Sequence, residues 1–243
     1  MTIVISMYFF ITIVIIVFMF SYVILRTNLL YSRFLLALGL FISIYIFGYA
    51  MELNSSTMES MLIWNKIQYI GLSFYAAFWL IVSLLFTKTI KRISFPLMLA
   101  LFIIPVLTFV FRFTNSLHNF YYTSFTLVER NNQVFLQLGK GFWYYIQLGY
   151  SVLTLIITNI LYGYRYKKSK NANKKIYRIL IFASLIPILG ISLILTDFWN
   201  TGLDYAALIV PVSIILFSIA IFKYDMFELK ATARDSIFTN NEN

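Results

Sequence analysis

The chain has 243 residues, of which 61% are hydrophobic, 19% aromatic and only 12% charged, with a mean hydropathy of +0.84. This lies outside the soluble globular range and marks a polytopic membrane protein. The formal net charge of +10 is not read as nucleic-acid affinity, because the basic residues flank apolar windows, where they anchor loops to an anionic leaflet.

Seven uncharged windows follow one another, at 1–25, 34–51, 67–87, 93–111, 141–164, 179–196 and 205–222. Each reaches the length of about 17 to 25 residues with which a helix rising about 1.5 Å per residue crosses a hydrocarbon core of about 30 Å. With the N-terminus outside, fifteen of the 19 Lys and Arg fall on the cytoplasmic side and only Lys66, Arg112, Arg130 and Lys140 on the other. The positive-inside rule therefore predicts an all-α, seven-transmembrane bundle with its N-terminus outside and its C-terminus cytoplasmic. Residues 1–25 lack a basic leader and a small-residue cleavage site, so they are read as a retained first helix. The absence of Cys excludes disulfides, metal-thiolate sites and lipoprotein attachment.

The first span is rich in Ile, Val and Phe, as suits a lipid-facing helix. The second contains Gly39 and Gly48 with Ser43 between, small residues that let another helix approach closely. After it, 52–64 reads as a turn and a helix start, with a capping Ser or Thr ahead of Glu59. In the third span Trp64, Gln68, Gly71 and Tyr75 recur at four, three and four residues, which places them on one helical face. An amide such as Gln68 in a membrane helix points into the bundle, to bond a neighbouring helix or to meet a ligand. The fourth span carries Pro105 in its interior, which removes a backbone bond and predicts a kink.

Between the fourth and fifth spans, 122–128 and 133–138 are rich in β-branched and aromatic residues around a turn-like 129–132. They predict an extracytoplasmic β-hairpin, of a length that suits a cover over a cavity. His118, the only histidine, lies just before it near Asn115 and Asn119. Its alternatives are local hydrogen bonding and a sensing or ligand role. The fifth span opens with an aromatic cluster in which Trp143, Gln147 and Tyr150 repeat the four-and-three spacing, a second face with an amide between aromatics. The block 164–178 is the main basic anchor. The sixth span carries Pro187 and ends near Asp197 and Asp204, two carboxylates that either recognise a cation or are solvated loop charges. The seventh contains Pro211 and runs into 223–234 without Gly or Pro, so a continuous helix can leave the membrane as a rod.

The order of these features resembles the seven-transmembrane N-terminal sensor region of bacterial histidine kinases and diguanylate cyclases. The resemblance rests on Glu52-Leu53, on 64–71 around the third span, on Asn115 with His118, and on Gly141-Phe142-Trp143. It extends to Pro187, Pro211 and the exit 223–229 followed by Ala233-Arg234. Such regions often carry a proline in the third span where this chain has Ala76-Ala77, and a histidine early in the fifth, replaced around 145–147.

The resemblance implies a transmembrane sensor, 1–222, with a cytoplasmic signalling-helix tail, 223–243, in the bacterial cytoplasmic membrane, acting as a homodimer on a cytoplasmic output domain or partner. Its ligand is a small molecule or peptide, extracytoplasmic or membrane-dissolved. Candidate ligand contacts are Trp64, Gln68, Tyr75, His118, Trp143, Gln147 and Tyr150, and candidate output residues are Pro211, Phe227, Ala233 and Arg234. No catalytic role, cofactor, metal or nucleic acid is expected. A small transporter or channel subunit, or a membrane assembly factor, is the alternative.

Overall fold

In hydrocarbon a backbone N–H or C=O finds no water, so apolar segments satisfy their own polar groups by forming helices. A computed structural model describes residues 2–26, 30–130, 133–169, 171–196 and 202–240. Among these, the helices are α1 (Thr2–Arg26), α2 (Leu30–Leu53), α3 (Met58–Leu72), α4 (Tyr75–Phe86), α5 (Phe95–Phe113), α6 (Asn115–His118), α7 (Phe142–Lys168), α8 (Asn171–Thr196) and α9 (Tyr205–Asn240). Strands β1 (Tyr122–Arg130) and β2 (Gln133–Lys140) stand between α6 and α7. Among the described residues, seven stretches are long and apolar enough to cross a membrane, and the third, Met58–Phe86, combines α3 and α4.

The break in that span falls at Ser73 and Phe74, where Phe74 N–H reaches back three residues to Gly71 O at 3.1 Å. No proline causes it. By contrast α5, α8 and α9 run unbroken through Pro105, Pro187 and Pro211. The third span is also the most enclosed, 72% of its window being buried, against 28% for α1 and 17% for α5. Those two turn Ile, Val, Leu, Met and Phe side chains outward, the surface that lipid would cover.

Helix α2 packs against α1, α3, α4 and α9, and α7, α8 and α9 follow round the bundle. Its closest approach is to α3, where a Cβ on Gly71 would lie 2.0 Å from Phe41 O and one on Gly48 2.7 Å from Gln68 Cγ. Gly39 instead makes room for the Phe20 ring of α1. The small residues of the second span thus act in packing. Thr57 caps α3, its Oγ1 accepting from Ser60 N–H at 3.3 Å.

The two ends of the bundle differ. At one, Tyr31, Phe86, Tyr177 and Tyr162 form a chain of ring contacts with centroids 5.7 to 6.5 Å apart. This end brings together the start of α2 and α8 with the close of α4 and α7, next to Arg33, Lys88, Arg165, Lys168 and Lys174. At the other end stands the hairpin, whose strands pair antiparallel from Tyr122 opposite Lys140 to Arg130 opposite Gln133, with an irregularity between Tyr122 and Ser124. Asn115 fixes the start of β1, its Oδ1 accepting from Tyr121 and Tyr122 N–H at 2.9 and 3.0 Å and its Nδ2 donating to Tyr122 O at 2.8 Å.

Candidate functional site

A cavity of about 380 Å³ lies between the hairpin and the bundle. Helices α2, α3, α4, α7, α8 and α9 and both strands contribute to its lining, and eight of the lining residues are tyrosines. Such a volume is at the lower end of the range for small-molecule pockets.

On α2, Tyr45, Tyr49 and Glu52 recur at four and three residues and all face this cavity. Glu52 is 8% exposed and receives hydrogen bonds from Asn65 Nδ2 at 3.0 Å and Gln68 Nε2 at 2.5 Å, both on Oε2. Asn65 is polarised from its other side, since Arg112 donates to its Oδ1 at 2.6 Å. The guanidinium of Arg112 is enclosed, 1% exposed, and lies 5.3 Å from the Tyr69 ring centroid and 5.2 Å from that of Tyr122. An Arg over aromatic faces in a dry site is stabilised by their negative quadrupole. The arrangement is a relay of guanidinium, amide and carboxylate that joins α5 to α3 and α2. Tyr69 and Tyr122 close it above, their hydroxyls 2.5 Å apart.

Asp204 forms the second polar centre. Its Oδ1 accepts from Ala206 and Ala207 N–H at 2.9 and 3.2 Å, the geometry of an N-cap for α9. Its Oδ2 accepts from Tyr45 OH at 2.6 Å, and its N–H donates to Tyr49 OH at 2.6 Å. Tyr8 OH adds a bond to Leu208 O at 2.8 Å. The first turn of α9 is thereby tied to α1 and α2 by tyrosine hydroxyls, and the same carboxylate lines the cavity. Burial pushes the Asp204 carboxyl above its ordinary value, while the Tyr45 hydroxyl and the α9 amides pull it back. Burial also raises the Tyr122 hydroxyl, to about 12 even with Arg112 pulling it down.

Of the seven ligand contacts expected from the sequence, Gln68, Tyr75 and Gln147 line the cavity. The other four lie outside its lining. Trp64 stands edge-on to Phe47 with ring centroids 5.8 Å apart. Trp143 Nε1 donates to Thr108 Oγ1 at 2.9 Å, which itself donates to Gln147 Oε1 at 2.8 Å. Gln147 Nε2 continues to Ser73 O at 3.4 Å, so this relay ends at the break of the third span. Tyr150 OH donates to Leu101 O at 2.6 Å. His118 bonds locally, with Nδ1 accepting Phe120 N–H and Nε2 meeting Thr114 Oγ1, both at 3.0 Å. Pro211 lies within α9, and Phe227, Ala233 and Arg234 lie on its backbone, but their side chains are outside the described residues, as is Asp197.

Of the strongest polar residues of the site, the sequence placed Glu52 and Arg112 as boundary charges and Asp204 as either a cation-recognising or a solvated loop carboxylate. Glu52 and Arg112 each stand one residue beyond an uncharged window, and Asp204 immediately before one. The detectable signals were the Tyr45, Tyr49, Glu52 stripe and an Asp placed to cap the last helix.

This fold and site define a multi-pass membrane protein with a polar, tyrosine-lined cavity at one end of a seven-helix bundle. Residues 8–230 match the family described as the N-terminal 7TM region of histidine kinase, and the chain belongs to that family. It is thus a membrane sensor region used in signal transduction, and the match spans that region, not a kinase catalytic domain. No curated protein matches the chain.

Proposed function

We propose that this chain binds a ligand in the cavity on its extracytoplasmic side and passes the change through α9 to a cytoplasmic output domain or partner. The observation that carries this reading is the double role of Asp204, which lines the cavity and caps the helix that continues past the last membrane span to Asn240. A ligand that competes for Tyr45 OH or for the Asp204 carboxylate changes how α9 is held against α2. It shifts the signalling equilibrium only by the difference in its affinity for the two packings of α9.

The basic residues of one bundle end support a cytoplasmic placement for it, in a bacterial cytoplasmic membrane, with the hairpin outside as a lid. In this reading Gln68, Tyr75 and Gln147 touch the ligand. Trp64, His118, Trp143 and Tyr150 brace the walls, Pro211 lies on the helix that moves, and Phe227, Ala233 and Arg234 belong to a tail, 223–243, that pairs with its copy in a homodimer.

The test fuses the chain to a histidine-kinase output region and follows autophosphorylation in membranes. Substitutions Tyr45→Phe and Asp204→Asn are expected to change basal output at unchanged membrane insertion. Single cysteines along 223–234, introduced into a chain without native Cys, are expected to crosslink between copies with helical periodicity. Unchanged output in both variants, together with aperiodic crosslinks, would rule the reading out.

A further inference from the structure

Both amides that bond Glu52 converge on Oε2. Among the described residues its other oxygen, Oε1, takes no hydrogen bond, although the side chain is 92% removed from solvent by its 8% exposure and lines the cavity. That oxygen is reached from the cavity and not sealed in the protein, so it is open to accept a hydrogen bond from a ligand there. Asp204 lines the same cavity, and Tyr49, one helical turn from Glu52, links the two through its bond to the Asp204 N–H. Tyr45, Tyr49, Tyr69 and Tyr75 line the same cavity, and aromatic rings attract cations.

An anionic ligand is less well served. The α9 amides that would face an anion are already taken by Asp204 Oδ1. The two cations of the lining, Arg130 and Lys140, stand at opposite ends of the hairpin. Across nine residues rising about 3.3 Å each, that separation exceeds about 20 Å, too far for both to hold one small anion.

We infer that the ligand is a small organic amine, whose protonated nitrogen donates to Glu52 Oε1 beside Asp204 and whose apolar or aromatic body lies among the tyrosines. This deepens the sensor reading and rests on it. A primary or secondary ammonium satisfies the free oxygen through N–H, whereas a neutral isostere leaves the carboxylate uncompensated and a carboxylate ligand meets like charge.

The experiment uses the full chain in lipid nanodiscs and three probes of one shape: 2-phenylethylamine, 2-phenylethanol and 3-phenylpropionate, with methylammonium and spermidine to vary the size of the amine. The aromatic amine is expected to raise the melting temperature and bind saturably, the alcohol at least about tenfold more weakly, a difference of about 1.4 kcal/mol. Glu52→Gln keeps the acceptor for Asn65 and Gln68 and is expected to weaken the amine by a similar factor, in a variant that melts at a lower temperature but still cooperatively. If Glu52→Gln misfolds, Tyr75→Ala serves as the second variant and is expected to weaken the aromatic amine more than methylammonium. The inference is overturned if none of the amines binds, if phenylpropionate binds as tightly as the amine, or if the amine is indifferent to both substitutions. Phenylpropionate binding that is lost in Tyr75→Ala would remove the amine and keep the cavity as a sensor site, while the kinase-fusion and crosslinking outcomes judge the sensor reading on its own.

Discussion

The two ends of the bundle solve the same problem in opposite ways. Where Tyr31, Phe86, Tyr177 and Tyr162 meet, ring edges fill the space between helices, and the interhelical hydroxyl bond from Ser83 to Tyr162 at 2.6 Å is buried. At the hairpin end two polar centres tie the helices together around a cavity that remains open. Dense apolar packing resists rearrangement, whereas hydrogen-bonded polar contacts around a void can be exchanged for contacts with a ligand. The difference supports the proposal that places sensing at one end and rigid anchorage at the other.

The largest expected effect is on the frame that both ends share. Gly71→Val puts a side chain where a Cβ already lies 2.0 Å from Phe41 O. Folding should be lost, at a cost above about 4 kcal/mol, read as the absence of monodisperse protein after extraction; a stable variant would refute the close α2 to α3 contact. Next comes Arg112→Met, which removes the cation behind Asn65 and Glu52. Melting in nanodiscs should report a loss of about 3 kcal/mol, and a neutral result would mean that the relay contributes no stability.

The sharpest comparison pairs two similar substitutions. Tyr162→Phe at the packed end and Tyr45→Phe at the cavity end each delete one interhelical hydroxyl bond, worth about 0.6 kcal/mol in a membrane. Their stabilities should fall alike, yet only Tyr45→Phe should alter the output of a kinase fusion. Equal output changes would erase the functional distinction between the ends.

The smallest effect concerns pH. Because burial raises the Asp204 carboxyl, the folded chain takes up that proton at a higher pH than the unfolded chain does. Its contribution to stability is then fully present below the unfolded value and is lost as the pH rises through the raised folded value. Asp204→Asn should flatten this part of the melting profile; an unchanged slope would assign it to another group.

Much of this was legible in the sequence. The seven spans follow from the windows, since a bilayer imposes one length on every crossing. The hairpin strands, expected over 122–128 and 133–138, are found at Tyr122–Arg130 and Gln133–Lys140, because β-branched and aromatic runs around a turn carry a local signal. The packing glycines Gly39 and Gly48 are found against the Phe20 ring of α1 and against Gln68 and Trp64 of α3. Of the two amide faces, helical periodicity brought out Gln68, Tyr75 and Gln147, which line the cavity.

Local pattern fixes which face of a helix a residue occupies, but the partner of that face depends on how helices from distant parts of the chain are arranged. Trp143 and Gln147 share a face on α7, yet Gln147 lines the cavity while Trp143 bonds Thr108 on α5. Glu52 and Arg112 read as loop charges by position, and only the meeting of α2, α3 and α5 makes them buried ends of one relay. Proline does not mark the break between α3 and α4 either, since that stretch contains none. The interruption is in the third span, where Gln147 of α7 donates to Ser73 O. The sequence by itself determined the membrane class, the spans, the hairpin and the family. Tertiary structure alone decided where the charges meet, because a buried ion finds its partners through space and not along the chain.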